Sequence, residues 1–200
     1  MANGFCHEEC ISPRCDDSSV SEKTLQQLID YGLSRIDYMG HQHCHFAMIY
    51  TTKGKTPNVL SYGFNHIRNK KSIHAEVDAI NNLPPITRRR KKLTKVNILV
   101  IKFSKSGHKI GNSKCCMKCC ETIFKIPPLR GYTIDSVSYS NKEGNIEDYH
   151  PIDLLIEEDY HTSFYYRRKG YTPKFRDRII KHPDRLTKMF LEKSKVEEED

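Results

Sequence analysis

Hydrophobic positions recur with a helical spacing near the start of the chain and with strand-like patterns after it. In "SEKTLQQLIDYGLSRI", from Ser21, the apolar residues that lie three or four positions apart are Leu25, Leu28, Ile29, Leu33 and Ile36. This spacing predicts an amphipathic helix. The next two segments, "HFAMIYTTKGK" and "NVLSYGFN", are rich in β-branched and aromatic residues, which predicts two strands joined by a glycine-containing turn.

Helical and strand patterns alternate through the middle of the chain. "HAEVDAINNL" has its apolar residues on one side of a predicted helix, and the following prolines stop it. "VNILVIKF" is almost continuously apolar, as in a strand buried on both faces. "CCMKCCETIFKI" predicts a short helix that ends at a proline pair, and "YTIDSVSYS" and "NIEDY" flank "NKEG" as in an antiparallel hairpin. A last helix is predicted from Pro173 to Lys195.

This order of elements predicts an α/β fold of three α/β/α layers, with helices flanking a mixed sheet of about five strands. A chain of 200 residues suffices for one domain with tails. We expect an irregular segment over residues 1–20 and a folded domain over 21–150. A C-terminal extension over 151–200 then carries a basic helix and an acidic end.

Cysteine usage and the absence of an apolar leader bear on the compartment. The chain has eight cysteines, and its start, "MANGFCHEEC", lacks the basic and apolar regions of a signal peptide. No apolar run approaches the ~18 residues of a membrane span. We therefore expect an intracellular, cytoplasmic protein without membrane association, in which clustered cysteines bind metal in preference to forming disulfides.

Positive charge is concentrated in two blocks within a net charge of +8. One is "RRRKK" at 88–92, and the other spans 165–195, with eleven Lys/Arg against three acids. Such blocks suit an anionic partner, either a nucleotide or nucleic acid, and the first is also compatible with a nuclear address. The alternative is a solvated loop and a charged tail. "FYYRRKGYTPKFRDR" interleaves aromatics with arginines, which fits nucleic-acid binding or, the favoured interpretation, docking of the tail on the sheet.

Two of the predicted helices begin with residues that bind metals. One starts at His74 with Glu76 two residues later, and the other carries Cys116 and Cys119. A Cys-x-x-Cys pair lets two thiolates converge on one ion, and a distant histidine would leave the fourth position to water, as in catalytic zinc sites. The positive ends of the helices favour thiolate, and a carboxylate at position 76 can transfer protons to and from zinc-bound water.

In this order the motifs resemble the zinc-dependent cytidine and deoxycytidylate deaminase superfamily. The resemblance runs from about His45 to Tyr149 and includes "YGFN", similar to the family's Gly-x-Asn, as well as "SIHAEVDAI" and the "VNILVIKF" strand. It implies the cytidine deaminase-like fold, with the catalytic domain within 21–150. By the same resemblance, zinc is held by His74, Cys116 and Cys119, the proton shuttle is Glu76, and the substrate contacts are Asn65 and Ala75.

Two further thiols flank the predicted ligands. Cys115 stands where the family has proline, and Cys120 follows Cys119, but only Cys116 and Cys119 have the required two-residue gap. At the N-terminus, a second, structural zinc site is an alternative to a disordered tail, which is favoured; its candidate ligands are Cys6, His7, Cys10 and Cys15. No ligand is assigned in "HQHCH", from His41 to His45.

The resemblance implies a hydrolase that deaminates the cytosine base of a free nucleoside or nucleotide and releases ammonia. One alternative is base editing in RNA or DNA with the basic loop and tail as the binding surface. Another is a catalytically inactive zinc-binding protein. The predicted hairpin favours a free substrate, because nucleic-acid-acting branches of the family generally have a helical crossover there. The fold often assembles through its helices, so a homo-oligomer is also compatible with the sequence.

Overall fold

Helices cover both faces of a mixed β-sheet in the computed structural model, which describes residues 21–36, 43–52, 56–87, 92–104 and 109–182. The helices are α1 (Glu22–Arg35), α2 (Ala75–Asn82), α3 (Met117–Lys125), α4 (Pro151–Ile156), α5 (Phe164–Arg168) and α6 (Lys174–Lys181), with a 3₁₀ turn at Pro127–Arg130. The strands are β1 (His43–Thr51), β2 (Asn58–Phe64), β3 (His66–Arg68), β4 (Lys71–Ile73), β5 (Thr94–Ser104), β6 (Ile110–Gly111), β7 (Tyr132–Ser140) and β8 (Ile146–Tyr149).

Six strands form the main sheet, in the order β2-β1-β5-β7-β8 with β6 paired to β5, while β3 and β4 form a separate ribbon. Strands β5 and β7 are parallel and the other pairs are antiparallel. The predicted α/β class and the β7–β8 hairpin are confirmed. The expected five strands become six because β6 has only two residues, too few for a periodic pattern.

Two apolar clusters, one on each face of the sheet, hold the layers together. The first lies under α1, and the second lies under α2, α3 and α4. Along β5, Leu99 and Ile101 belong to the α1 cluster, whereas Ile98 and Val100 belong to the other. Because alternate residues of a strand point to opposite faces, a strand covered on both sides is apolar throughout, as "VNILVIKF" predicts.

Helix α2 lies unusually close to β2, and Gly63 permits this approach. A Cβ atom on Gly63 would lie 2.3 Å from the backbone nitrogen of Ala79 and 2.7 Å from the carbonyl oxygen of Ala75. The Ser61 hydroxyl donates to the Ala79 carbonyl over 2.9 Å, and Asp78 accepts from the Phe64 amide over 3.1 Å. The start of α2 is thereby fixed beside the end of β2.

The C-terminal extension packs into the same core as the preceding domain. Leu154 and Leu155 of α4 and Ile179 of α6 are buried in the cluster under α2 and α3. The predicted last helix is observed over Lys174–Lys181, and the rest of its predicted span lies outside the described residues. Helices α4 and α5 were not predicted.

Several predictions fall outside the described residues. They concern residues 1–20, including Cys6, Cys10 and Cys15, as well as residues 88–91 of the basic block and the acidic end. None of the helices in the described ranges combines the length and apolar character needed to cross a membrane.

Candidate metal and catalytic site

Two of the predicted ligands occupy equivalent positions at the starts of two helices. His74 is the N-cap residue of α2 and Cys116 is the N-cap residue of α3, both with extended backbone. Neither side chain caps its own helix. Both side chains therefore remain available for other contacts at a point where the positive ends of two helix dipoles meet.

The three predicted ligand atoms form a small triangle. The His74 Nδ1 atom lies 3.5 Å from Cys116 Sγ and 3.3 Å from Cys119 Sγ, and the two sulfur atoms are 3.6 Å apart. Around a tetrahedral zinc ion, neighbouring N and S donors lie about 3.5–3.8 Å apart, as follows from the usual bond lengths. The donor set and its spacing therefore fit zinc. Among the described residues this is the only group of three His, Cys, Asp or Glu side chains placed to share an ion.

Negative charge concentrates on Cys116. Its hydrogen bond with Cys119, helped by His74, lowers the pKa of Cys116 to about 4 although burial opposes this shift. Burial lowers the pKa of His74, but the hydrogen bond and charge of Cys116 outweigh burial, so the net shift is upward. This shift favours the thiolate form of Cys116, which is the form that binds metal. Because the remaining ligands must lose their protons to bind, metal uptake releases protons.

Glu76 lies in the first turn of α2 and is 4% exposed. Burial and then the nearby Cys116 charge raise its pKa, whereas a hydrogen bond from Cys115 lowers it. A carboxyl group placed beside the candidate ligands, with its charged form disfavoured by burial, suits reversible proton transfer.

The two flanking thiols have different surroundings from the ligand pair. Cys115 is buried, contacts Glu76, and has a pKa raised well above the usual range, chiefly by burial. Cys120 is buried in the core cluster, and burial raises its pKa as well. Neither belongs to the candidate metal group, in agreement with the prediction from spacing.

The predicted substrate contacts, Ala75 and Asn65, lie at the start of α2 and directly after β2. Ala75 is fully buried as the first residue of α2. Asn65 follows β2. Its side-chain Oδ1 atom accepts a hydrogen bond from the backbone amide of His45 over 2.7 Å, and its backbone amide donates to the His45 carbonyl. The side-chain oxygen of Asn65 is thereby held by the main chain of β1. In "HQHCH", His41 lies outside the described residues, and neither Cys44 nor His45 joins the metal group.

Sequence reasoning did not identify Ser113, which anchors the loop that leads into α3. Its hydroxyl donates to the Val100 carbonyl over 2.7 Å and accepts from the Ser140 amide over 2.9 Å. It thereby ties the segment before Cys116 to both β5 and β7. A single serine in a loop carries no periodic pattern, so only the tertiary structure reveals this anchor.

Tyr166 of the C-terminal extension also lies at the site, although the sequence did not identify it as a site residue. Its ring centroid lies 5.5 Å from that of His74, although it follows the region that resembles deaminases. The sequence feature that could have pointed to Tyr166 was the aromatic and basic composition of its segment. Docking, the favoured interpretation of that segment, is confirmed for Tyr166, Tyr171 and Phe175, which pack against the core.

No family model matches this chain, and no curated protein matches it either. The fold and the site together define an α/β protein with a candidate His-Cys-Cys metal centre.

Proposed function

We propose that this protein is a zinc-dependent hydrolytic deaminase that acts on the cytosine base of a free nucleoside or nucleotide. The observation that carries the proposal is the convergence of His74, Cys116 and Cys119 beside the buried carboxyl group of Glu76. A cytidine deaminase-like fold is supported by the mixed sheet and by two helices, α2 and α3, that each have a candidate ligand at their start.

The three candidate ligands fit zinc in donor type and spacing, and three protein ligands are typical of catalytic zinc sites. A zinc ion held by these residues would supply a nucleophilic hydroxide at neutral pH, because it would lower the pKa of a bound water. The protein contributes the negative charge of the two thiolates, the fixed His74 ring and a buried environment that strengthens electrostatic interactions.

Glu76 moves the protons of the reaction. Its carboxylate takes the two protons of the attacking water in turn, giving one to the ring nitrogen N3 and the other to the leaving amino group. The bond between the ring carbon and the exocyclic nitrogen breaks, ammonia leaves, and the water oxygen becomes the carbonyl oxygen of the product. A carboxyl group whose charged form is disfavoured by burial releases and takes up these protons readily.

Asn65 and Ala75 orient the substrate. The Asn65 side-chain nitrogen is left to donate to a sugar hydroxyl because its oxygen is already held by the His45 amide. The backbone of Ala75 adjoins His74 and offers polar groups to the base. The β7–β8 hairpin supports a free substrate, by similarity to the free-nucleoside branch of the family.

The proposal is tested by ammonia release from cytidine, deoxycytidine and their 5′-monophosphates. Glu76→Ala should lower turnover by about 100-fold or more because the proton shuttle is lost. Zinc content should stay at the wild-type level because Glu76 is not a predicted ligand. The matched control is Glu143→Ala, an exposed acid in the β7–β8 turn, which should retain full activity. Unchanged ammonia release in Glu76→Ala would refute the mechanism.

A second candidate function is editing of a base within RNA or DNA. The observation in its favour is the β3–β4 ribbon between Asn65 and His74, which exposes Arg68, Lys70 and Lys71 beside Ile67, itself 80% exposed. Adding adenosine, guanine and short single-stranded RNA and DNA to the substrate panel separates the candidates. Activity on oligonucleotides alone supports editing, and zinc binding without activity on any substrate supports a non-catalytic zinc protein.

A further inference from the structure

The C-terminal extension contributes an aromatic wall next to the candidate metal group. Tyr166 of α5 lies with its ring centroid 5.5 Å from that of His74. It is supported by Tyr165 and Tyr171, whose centroids are 5.3 and 5.8 Å from its own. The planar face of a tyrosine is the surface on which a nucleobase stacks or packs.

Contacts on both sides of α5 hold this wall in place. Before α5, the His161 carbonyl accepts a hydrogen bond from the Met117 amide over 3.0 Å, at the first residue of α3. After α5, the buried carboxylate of Glu121 accepts from the amides of Phe175 and Arg176 over 3.1 and 3.4 Å. Since α3 carries two of the candidate ligands, α5 is fixed relative to the metal group.

Three cationic residues follow Tyr166 directly: Arg167, Arg168 and Lys169. All three are exposed, and none of them forms an ion pair with a described acid. Two acids of the extension are engaged elsewhere, Glu157 with Lys114 and Asp177 with Arg176, while Glu158 and Asp159 are exposed and form no salt bridge with a described residue. Arg168 instead lies over the ring of Phe164, which is 67% exposed. The residues directly after the aromatic wall therefore carry positive charge that no salt bridge with a described residue neutralises.

We propose that α5 is a nucleotide-recognition element, in which Tyr166 packs against the base and Arg167, Arg168 and Lys169 bind a phosphate group. The inference rests on the proposed function in that a base is brought to the metal group. The ligand chemistry is a phosphate ester adjacent to a nucleobase, present in both a mononucleotide and an oligonucleotide. Exposed guanidinium and ammonium groups recognise this ester through charge-assisted hydrogen bonds.

Binding of reaction products to the zinc-loaded full chain tests the role of the cations, since products are not consumed. Calorimetry should show uridine 5′-monophosphate binding at least about tenfold more tightly than uridine. Arg167→Ala/Arg168→Ala should abolish most of this preference. The matched control is Arg178→Ala/Lys181→Ala on α6, with the same charge change, which should retain it. Equal affinity of the wild type for both ligands, loss of the preference in the control as well, or an unchanged preference in the α5 variant would overturn the proposal.

The role of the aromatic wall is tested by Tyr166→Ala. This variant should weaken the binding of uridine and of its monophosphate by similar factors. Tyr166→Phe keeps the ring and should restore both affinities. Tyr166→Phe should keep the wild-type zinc content and thermal unfolding midpoint. Tyr166→Ala should have a lower midpoint because the ring also packs against the core, so its affinities are measured well below that midpoint and at full zinc content. If Tyr166→Ala binds uridine as tightly as the wild type, the ring has no role in recognition and the proposal is wrong.

A short single-stranded oligouridine distinguishes the two sources of the phosphate. If the oligouridine binds no more tightly than the monophosphate, and only the α5 variant weakens its binding, the ligand is a mononucleotide. If Arg68→Ala/Lys71→Ala on the β3–β4 ribbon also weakens it, the ligand is a longer strand that spans both basic elements. Weakening by the ribbon variant alone would contradict a role for α5.

Failure of this inference and failure of the proposed function give different results. A phosphate preference that depends on α5, without ammonia release from any substrate, leaves the recognition element intact and removes the deaminase proposal. Ammonia release at equal rates from cytidine and its monophosphate, unaffected by the α5 variant, would leave the deaminase proposal intact and remove the recognition element.

Discussion

At the scale of single residues, the four thiols of "NSKCCMKCC" have the same chemistry but different surroundings. Cys116 has its pKa lowered to about 4 by the hydrogen bond with Cys119, whereas burial raises the pKa values of Cys115 and Cys120. Only Cys116 and Cys119 approach His74 within a common ligand distance. All four thiols are buried, and the pKa of Cys119 is raised as well, so it is the approach to His74 that separates the two candidate ligands from the other two thiols.

We predict that zinc binding depends on Cys116 and Cys119 and not on their neighbours. Cys116→Ser and Cys119→Ser should each weaken zinc affinity by about 100-fold or more because a thiolate ligand is lost. Cys115→Ser keeps both ligand sulfurs and should retain one zinc per chain, as measured by metal analysis and competition with a chromogenic chelator. Release of zinc by Cys115→Ser would show that the ligand assignment is wrong.

The candidate ligands could be predicted from sequence because their spacing has a direct geometric meaning. Thiols three positions apart at the start of a helix lie on one side of it, so a shared ion follows from local structure. Ser113 and Tyr166 could not be predicted in this way. Ser113 acts through Val100 and Ser140, and Tyr166 acts through His74, so their roles depend on contacts between segments distant in sequence.

At the scale of secondary-structure elements, the position of α2 depends on its close approach to β2. The backbone of Ala75 and Ala79 occupies the space that a side chain on Gly63 would need. Because α2 carries His74 at its start, this contact also positions a candidate ligand.

Gly63→Ala should therefore destabilise the protein by about 1–3 kcal/mol or more, since backbone atoms cannot move aside as a flexible side chain can. Zinc affinity should fall in the same variant because α2 must shift. Gly111→Ala is the control, since its Cβ atom would meet only the Lys102 side chain at 3.5 Å. Urea unfolding and zinc titration measure both effects, and a Gly63→Ala protein as stable as Gly111→Ala would contradict the packing assignment.

Long elements followed from their patterns, whereas most short ones did not; β8, with four residues, was predicted from the turn before it. Helix α1 and strands β1, β2, β5 and β7 are long enough for their spacing to be visible in the sequence. The ribbon β3–β4, strand β6 and helix α5 span two to five residues each. Over such lengths helical and strand patterns cannot be separated, and tertiary contacts decide the structure.

At the scale of the whole molecule, the order of the strands brings the two ligand-bearing helices together. Strand β5 connects to the parallel strand β7 through α3, and β2 leads through the ribbon into α2. Both helices pack on the same face of the sheet in one apolar cluster. Similarity to the deaminase superfamily suggested this arrangement, but it gave no position for residues 150–182, which follow the region of resemblance.

Zinc should stabilise the folded protein, because only the fold brings the three candidate ligands together. At a free zinc concentration about 100 times the dissociation constant, mass action adds about 2.7 kcal/mol to the free energy of unfolding. The thermal unfolding midpoint should rise across a zinc series in the wild type and in Cys115→Ser. The same zinc concentrations should raise it much less in Cys116→Ser, and a wild-type midpoint that does not respond to zinc would argue against the site.

The separation of the ligands along the chain gives such an ion a topological role. His74 and Cys116 are 42 positions apart, so an ion that joins them closes a loop containing β5 and the basic segment at 88–92. By the chain-entropy reasoning applied to disulfides, an ion that stayed bound to both residues in the unfolded chain would restrict that chain by about 4 kcal/mol. The cross-link would depend on metal supply instead of redox potential, so a chelator would open it in a compartment where thiols stay reduced.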